Sequence, residues 1–231
     1  MPDRLIVTEE NQLKEVSVPE FPPQPAWIRV IAKIISYVFH PLFIPVYITY
    51  FIFRFRAYEF AGLDPRRNML TLVLIIITCT LMPLVSVLLL RALNFVDSIY
   101  LKTQKDRIIP YIISMTFYFS VWVYFKKNHF ETDLVRMALA IFNASVAGFL
   151  LNIIMKVSMH AIAMGVMTAF IAFLAFGETV NLSLYVTIAL LISGIVCTAR
   201  LIVSDHRPKE IYIGFMAGVL SQLAAEYFVS S

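Results

Sequence analysis

Residues 200 to 210 read Arg-Leu-Ile-Val-Ser-Asp-His-Arg-Pro-Lys-Glu and separate two apolar runs, at about 182–199 and 211–228. Each run is close to the roughly 20 apolar residues that an α-helix needs to cross a bilayer. Charges at membrane depth are costly, so a segment this densely charged is either a solvated loop or part of a functional site. The pattern predicts two membrane-spanning helices joined by a charged break.

The composition of the whole chain extends this pattern. Of 231 residues, 60% are hydrophobic and 15% are charged, as in multi-span membrane proteins and unlike soluble domains. About seven segments are long and apolar enough to span a bilayer, so little chain remains for a separate catalytic domain. We therefore predict an all-α, polytopic transmembrane helix bundle of about six to seven spans over residues 26–231, preceded by a polar tail at residues 1–25.

Other features of the composition argue against several further classes of protein. The first residues lack the apolar core and cleavage site of a secretory signal, so we expect them to be retained. Cys79 and Cys197 lie in apolar runs, which indicates neither a disulfide framework nor a thiolate metal site. The net charge of +4 is spread among loops without a dense basic stripe, so nucleic-acid binding is not expected.

The individual spans follow from the hydrophobic pattern. From Trp27, polar residues at helical spacing predict an amphipathic interfacial helix. Pro41 and Pro45 disfavour one uninterrupted helix, so the first span is predicted at about 41–53, with a re-entrant element as the alternative. The other spans are predicted at about 69–93, with a kink at Pro83, and at about 108–125, 134–155, 160–176, 182–199 and 211–228.

Three charged clusters, at residues 102–107, 156–160 and 200–210, are separated from one another by two predicted spans each. Two crossings return the chain to the side from which it started, so all three clusters are expected on the same face of the membrane. Ionisable residues that converge in a membrane protein are typical of functional sites. The predicted topology therefore allows one shared polar site.

Two of these clusters contain side chains at one-turn spacing. His206 and Glu210 are four residues apart, so a helix that begins near His206 places the carboxylate beside the imidazole. A carboxylate on one ring nitrogen fixes the tautomer and makes the other nitrogen a better base or nucleophile. Lys156 and His160 have the same spacing at the start of the fifth span. The two clusters together indicate a phosphate-handling site.

Histidines near helix ends are more often interfacial residues than catalysts, and we assign His40 and His129 to the membrane interface on this ground. His160 and His206 differ because their clusters also contain cations and, for His206, a paired carboxylate. We therefore take only these two histidines as candidate catalytic residues.

The third cluster resembles a known motif. The pattern Arg200-x5-His206-x3-Glu210 is similar to Ser-Arg-x5-His-x3-Asp, the third motif of the type 2 phosphatidic acid phosphatase superfamily. The spacing is the same throughout, although Ala199 stands in place of the serine and Glu210 in place of the aspartate. This motif is the most specific part of the resemblance.

The second motif of that superfamily, Pro-Ser-Gly-His, resembles the residues that end at His160. Here Ser158 and His160 match, while Val157 replaces the proline and Met159 replaces the glycine. The bulky methionine removes a position that permits close backbone approach to phosphate. The two motifs occur in the expected order, about two helices apart.

The first motif of the superfamily, Lys-x6-Arg-Pro, is not reproduced. Its nearest counterpart combines Lys102 or Lys105 with Arg107 and a displaced Pro110. The resemblance therefore covers mainly residues 152–220.

The resemblance implies a membrane lipid phosphatase that hydrolyses a lipid phosphomonoester or diphosphate through a phosphohistidine. His206 would be the nucleophile and Glu210 would orient its ring. His160 would protonate the departing lipid alkoxide and then activate water. Phosphatidic acid, phosphatidylglycerol phosphate and a polyprenyl diphosphate are the substrate classes that this reading leaves open.

The same resemblance implies which residues bind the phosphate of the substrate. These are Arg200, Lys156, Ser158, Arg107 and Lys102. Because the cations supply the electrostatic stabilisation and no cluster of carboxylates suits magnesium, we expect neither a metal nor another cofactor. The expected partners are the membrane lipid phosphate and the lipid bilayer. We expect a multi-pass protein located in the bacterial inner membrane.

Two alternatives come from other functional classes. A non-catalytic transporter would use the same cations to bind a phospholipid or another anion, and the changes at Ala199 and Met159 are compatible with binding without turnover. A structural membrane subunit would use the charges as interfacial anchors, and in it Arg200 and His160 would lie well apart.

Overall fold

A computed structural model of the protein describes residues 4–7, 13–16, 24–55, 65–96, 104–177, 182–203 and 206–230. Two short strands, β1 (Arg4–Val7) and β2 (Leu13–Val16), pair antiparallel within the segment predicted as a polar tail. The other described elements are helical. They are α1 (Ala26–Val38), α2 (Ile44–Phe55), α3 (Pro65–Ile75), α4 (Met82–Ala92), α5 (Gln104–Lys127), α6 (Thr132–Ile154), α7 (Met159–Gly177), α8 (Ser183–Val203) and α9 (Pro208–Ser230).

Seven helical segments among the described residues are long and apolar enough to cross a membrane. They are Ala26–Phe55, Arg66–Ala92, Gln104–Lys127, Thr132–Ile154, Met159–Phe176, Ser183–Val203 and Pro208–Val229. The predicted all-α, multi-span fold class is therefore confirmed, and the chain has the character of an integral multi-pass membrane protein. The largest difference from the predicted spans is in the first segment, which extends over Ala26–Phe55 and not only over about 41–53. In addition, α8 continues one turn beyond Ala199 to Val203.

The first membrane segment is interrupted, as its prolines predict. A short 3₁₀ turn (Pro41–Phe43) separates α1 from α2, and the Nδ1 atom of His40 accepts a hydrogen bond from the Leu42 N–H at 3.4 Å. Pro45 does not break α2 because it lies in the first turn, where its missing N–H is not needed. α1 packs against α8, and Ser36 of α1 is buried.

The second segment contains a wide turn in place of a simple kink. A π-helical turn (Ile76–Leu81) joins α3 to α4 directly before Pro83, which has no N–H to donate to the carbonyl of the preceding turn. Thr80, in this turn, donates a hydrogen bond to the carbonyl of Leu42 at 2.6 Å. The irregular parts of the first two segments are therefore joined to each other.

Glycines bring α7 and α9 into backbone contact at the centre of the bundle. A Cβ atom at Gly165 would collide with the carbonyl of Phe215, and one at Gly218 would collide with the carbonyl of Ile162. Such close approach maximises van der Waals contact between helices in a membrane. Around this contact, Met137 and Phe170 are fully buried core residues. The packing fixes how the starts of α7 and α9, which carry the candidate residues, face each other.

Candidate functional site: a cationic cavity at one end of the bundle

Hydrogen bonds join the start of α5 to the end of α6. The side chain of Gln104 donates to the carbonyl of Asn152 at 2.8 Å, and the Asn152 side chain donates to the carbonyl of Gln104 at 2.9 Å. One turn along α5, Nη1 of Arg107 donates to the carbonyl of Val157 at 2.9 Å. The first and second charged clusters therefore lie together.

The segment between α6 and α7 also contacts the start of α9. The Ser158 N–H donates to the carbonyl of Glu210 at 3.4 Å. Gly214, one turn into α9, permits this approach because a Cβ there would lie 3.0 Å from the carbonyl oxygen of Ser158. The second and third charged clusters thus meet as well. The prediction that all three clusters lie at one end of the bundle is confirmed for the described residues.

A cavity of about 640 Å³ lies where these segments meet. The basic side chains and histidines on its wall are Lys33, His40, Arg107, Lys156, His160, Arg200 and His206. Over the described parts of the chain, no aspartate or glutamate side chain lines this cavity. Its wall is therefore suited to an anion, because several fixed cations and, within the described ranges, no carboxylate face the space.

His206 and Glu210 form the predicted pair. Nδ1 of His206 lies 2.8 Å from Oε2 of Glu210, and the same oxygen accepts the Arg207 N–H at 3.3 Å. α9 begins at Pro208, so the two side chains face each other across its first turn. Because a carboxylate only accepts, Nδ1 carries the proton and the Nε2 atom of the neutral ring has a free lone pair.

The surroundings of His206 favour this neutral form. Burial lowers the pKa of His206 from its ordinary value of 6.5, the hydrogen bond to Glu210 raises it, and the nearby charges of Arg107 and Arg200 lower it further. The net shift is downward. At neutral pH the ring is therefore unprotonated at Nε2, which is the state a nucleophile requires.

His160 lines the same cavity and has a different partner. Its Nε2 atom lies 3.0 Å from the carbonyl oxygen of Ser36 in α1. A carbonyl accepts, so Nε2 carries a proton and Nδ1 is the nitrogen that can exchange one. Arg200, near the end of α8, is on the wall of the same cavity. If the protein were a purely structural subunit, Arg200 and His160 would be separate interfacial charges that lie well apart. Their location on the wall of one cavity is the opposite arrangement.

His40 is the main residue that the sequence analysis missed. Its ring lies on the cavity wall, with its centroid 5.3 Å from that of His160 in an edge-to-face arrangement. The interfacial assignment of His40 is thus corrected, because the break at Pro41 turns the end of α1 towards α7. Lys33 and Tyr37, on the same face of α1, also line the cavity. The signal in the sequence is that Lys33, Tyr37 and His40 are spaced by four and then three residues directly before Pro41. Residues at this spacing lie on one face of a helix.

Of the remaining predicted phosphate-binding residues, Ser158 does not line this cavity. Ser158 is fully buried, and its Oγ accepts the Ala161 N–H at 3.4 Å, so the side chain acts as the N-cap of α7. Lys102 lies outside the described residues. His129, by contrast, is exposed and lies in the turn between α5 and α6 at the other end of the bundle, in agreement with its assignment.

Comparison of the chain with protein-family models, with curated proteins and with solved structures finds no match. Among the described residues, no group of three histidine, cysteine, aspartate or glutamate side chains could hold a metal ion. The geometry of the cavity and the motif residues in its wall are therefore the features that indicate a function. Any chemistry in the cavity would use its histidines, its cations and the carboxylate bonded to His206.

Proposed function

We propose that the protein is a membrane lipid phosphatase, similar to the type 2 phosphatidic acid phosphatases, which hydrolyses a lipid phosphomonoester or diphosphate. One observation carries this proposal. The buried, carboxylate-paired His206 lies on the wall of a cavity that presents several cations and, within the described residues, no carboxylate. A nucleophilic nitrogen among fixed cations is suited to attack on a phosphorus atom.

In the first step, the lone pair on Nε2 of His206 forms a bond to phosphorus. Arg107 and Arg200 hold the non-bridging oxygens and stabilise the charge that develops on them. The bond between phosphorus and the lipid oxygen breaks, and Nδ1–H of a protonated His160 gives its proton to the departing alkoxide. The products are a phosphohistidine and the free lipid alcohol.

In the second step, water attacks the phosphohistidine. Nδ1 of His160, now unprotonated, takes a proton from the water as its oxygen bonds to phosphorus. The bond between phosphorus and Nε2 breaks, inorganic phosphate leaves, and His206 regains its lone pair. Glu210 keeps the proton on Nδ1 throughout, so Nε2 is the atom that alternates between free and phosphorylated.

The rest of the cavity supports a substrate with a lipid tail. Away from the cations its wall is mainly apolar, with Leu42, Val87, Ile141 and Val166 among the lining residues. A phosphate among the cations and a hydrocarbon chain along the apolar wall would each meet matching surroundings.

We also propose that the protein is located in the bacterial inner membrane. Separating the inner and outer membranes of a bacterium that expresses the protein would test this location.

The test is phosphate release by purified protein from a panel of phospholipids and polyprenyl phosphates. We expect His206→Ala to abolish release and to leave lipid binding intact. The matched control is His129→Asn, an exposed histidine far from the cavity at a backbone φ of 51°, which asparagine tolerates. A second readout is an acid-labile phosphoenzyme that forms on wild-type protein but not on His206→Ala.

Two results would overturn the proposal. Release that is unchanged in His206→Ala would show that the cavity histidine is not the nucleophile. Lipid-phosphate binding without release by wild-type protein would favour the transporter, because the same cations bind a phosphate headgroup without chemistry.

A further inference from the structure

The turn at the end of α1 fixes which nitrogen of His40 carries a proton. The Nδ1 atom of His40 accepts the Leu42 N–H at 3.4 Å, so this nitrogen holds a lone pair. A protonated imidazole has hydrogens on both nitrogens and could not accept this bond. The ring of His40 is therefore neutral, and its Nε2–H is a hydrogen-bond donor.

This donor is open to a ligand. His40 lines the cavity and is half-buried, so its side chain is not sealed inside the protein. Among the described residues, Nε2 of His40 has no hydrogen-bond partner, and it does not belong to the enclosed side-chain atoms. A few oriented polar groups on a mainly apolar wall are what fixes a ligand in a pocket.

The neighbours of His40 hold its ring in one orientation. Besides the bond from Leu42, the ring packs edge to face on Phe43, with the centroids 6.2 Å apart. It also packs edge to face on His160, with the centroids 5.3 Å apart and the planes at 85°. A donor that is already oriented loses little freedom when a ligand binds, which favours recognition.

One phosphate group can contact both histidines. The centroids of the His40 and His160 rings are 5.3 Å apart, and a hydrogen bond from nitrogen to oxygen spans about 3 Å. When the departing oxygen of a lipid phosphate lies at Nδ1 of His160, the other oxygens on the same phosphorus are within reach of His40. Arg107 and Arg200 border the same cavity as charged donors, so His40 adds a neutral one.

We propose that Nε2–H of His40 donates a hydrogen bond to an oxygen of the phosphate group bound in the cavity, next to the oxygen that His160 protonates. The placement beside His160 rests on the proposed phosphatase function, whereas the contact with phosphate needs only an anion in the cavity. His40 lies outside residues 152–220, which carry most of the motif resemblance. The phosphate site therefore takes a donor from the front half of the chain.

Two substitutions separate this donor from the structural role of the ring. His40→Asn keeps an acceptor for the Leu42 N–H, since asparagine is a good N-cap, but its side chain is too short to replace Nε2. His40→Gln is one carbon longer, so its amide N–H can take the place of Nε2–H, while the capping acceptor is lost. If the ring only caps the turn, His40→Gln is the more damaging change. If Nε2 binds phosphate, His40→Asn is the more damaging one.

The measurements are the Kd for inorganic phosphate and kcat/KM for the best lipid-phosphate substrate, both on the full chain in detergent. We expect His40→Asn to weaken phosphate binding and to lower kcat/KM about ten- to hundredfold, the effect of one hydrogen bond to a charged group. Its unfolding temperature should equal that of wild type. His40→Gln should keep most of the binding and activity and unfold at a lower temperature. His129→Asn, the same change at an exposed histidine, is the control.

Wild-type phosphate binding and activity in His40→Asn would overturn the contact and leave the proposed phosphatase intact. Absence of phosphate release from every lipid by wild-type protein would instead overturn the proposed function, and the Kd for inorganic phosphate would then decide the role of His40. If His40→Asn does not fold, His40→Ser takes its place, because serine also caps the turn and has no side-chain nitrogen. Weaker phosphate binding in His40→Ser supports the contact, and unchanged binding overturns it.

Discussion

The two ends of the helix bundle both bury charged side chains, but they do so differently. At the end away from the cavity, Arg136 lies 3.3 Å from Asp133 and 3.0 Å from Glu226, and Gln222 donates to the same Glu226 at 2.8 Å. At the other end, Arg107 and Arg200 border a cavity whose described wall has no carboxylate.

The difference separates a structural use of charge from a binding use. A cation between two carboxylates is neutralised by its own protein and serves to join α6 to α9. Cations that border an open space attract an anion from outside. The contrast between the two ends is therefore consistent with the proposed phosphate binding at the cavity end and with a stabilising role for the charges at the other end.

Removing a cation from the cavity end should produce the largest effect on activity. We expect Arg200→Gln to lower kcat/KM for lipid phosphate by about two to three orders of magnitude, because one donor to the charge in the transition state is lost. The unfolding temperature should stay near that of wild type. Arg54→Gln, an exposed arginine near the end of α2, is the matched control. Equal loss of activity in both variants would contradict the comparison.

Removing the cation Arg136 from the opposite end should lower stability rather than activity. Arg136→Met leaves the nearly buried Asp133 and its neighbour Glu226 without the cation between them, at a cost of about 3 kcal/mol. Thermal unfolding in detergent measures this, and phosphate release below the unfolding temperature should stay near the wild-type rate. Loss of activity with an unchanged unfolding temperature would remove the distinction between the ends.

Changing Glu210, which is bonded to His206, should produce the smallest and most specific effect. The pKa of His206 is lowered from 6.5, so the acidic limb of kcat/KM in wild-type protein should lie below pH 6.5. Glu210 raises this pKa through its hydrogen bond and its charge. In Glu210→Gln the charge is lost and the amide oxygen is a weaker acceptor, so the pKa of His206 falls further and the acidic limb should move to lower pH.

The pH profile of phosphate release measures this shift, with Glu131→Gln at the opposite end of the bundle as a control. Movement of the limb to higher pH in Glu210→Gln would show that Glu210 does not act on His206 in this way. The plateau rate should also fall, since the proton on Nδ1 is then held less firmly.

Local sequence patterns account for the parts of this protein that were predicted correctly. Apolar runs defined the membrane segments because a span depends on length and hydrophobicity alone. The four-residue spacing of His206 and Glu210 predicted their hydrogen bond because one helical turn brings such residues together. Pro41 likewise predicted the break between α1 and α2.

The membership of the cavity wall needed the tertiary structure. His160 bonds the carbonyl of Ser36 across 124 positions of sequence. His40 reaches the same place because α1 packs on α8 and the break at Pro41 turns the end of α1 towards α7.

By itself, the sequence determined that this chain is a helical membrane bundle with charged groups brought to one face, and that His206 has a carboxylate partner. Only the tertiary structure decided which charges share a cavity and which neutralise one another. The physical reason is that helix formation and one-turn contacts depend on neighbouring residues. Which faces of two helices meet depends instead on close packing, here at Gly165 and Gly218. The spacing of residues along the chain does not encode that packing.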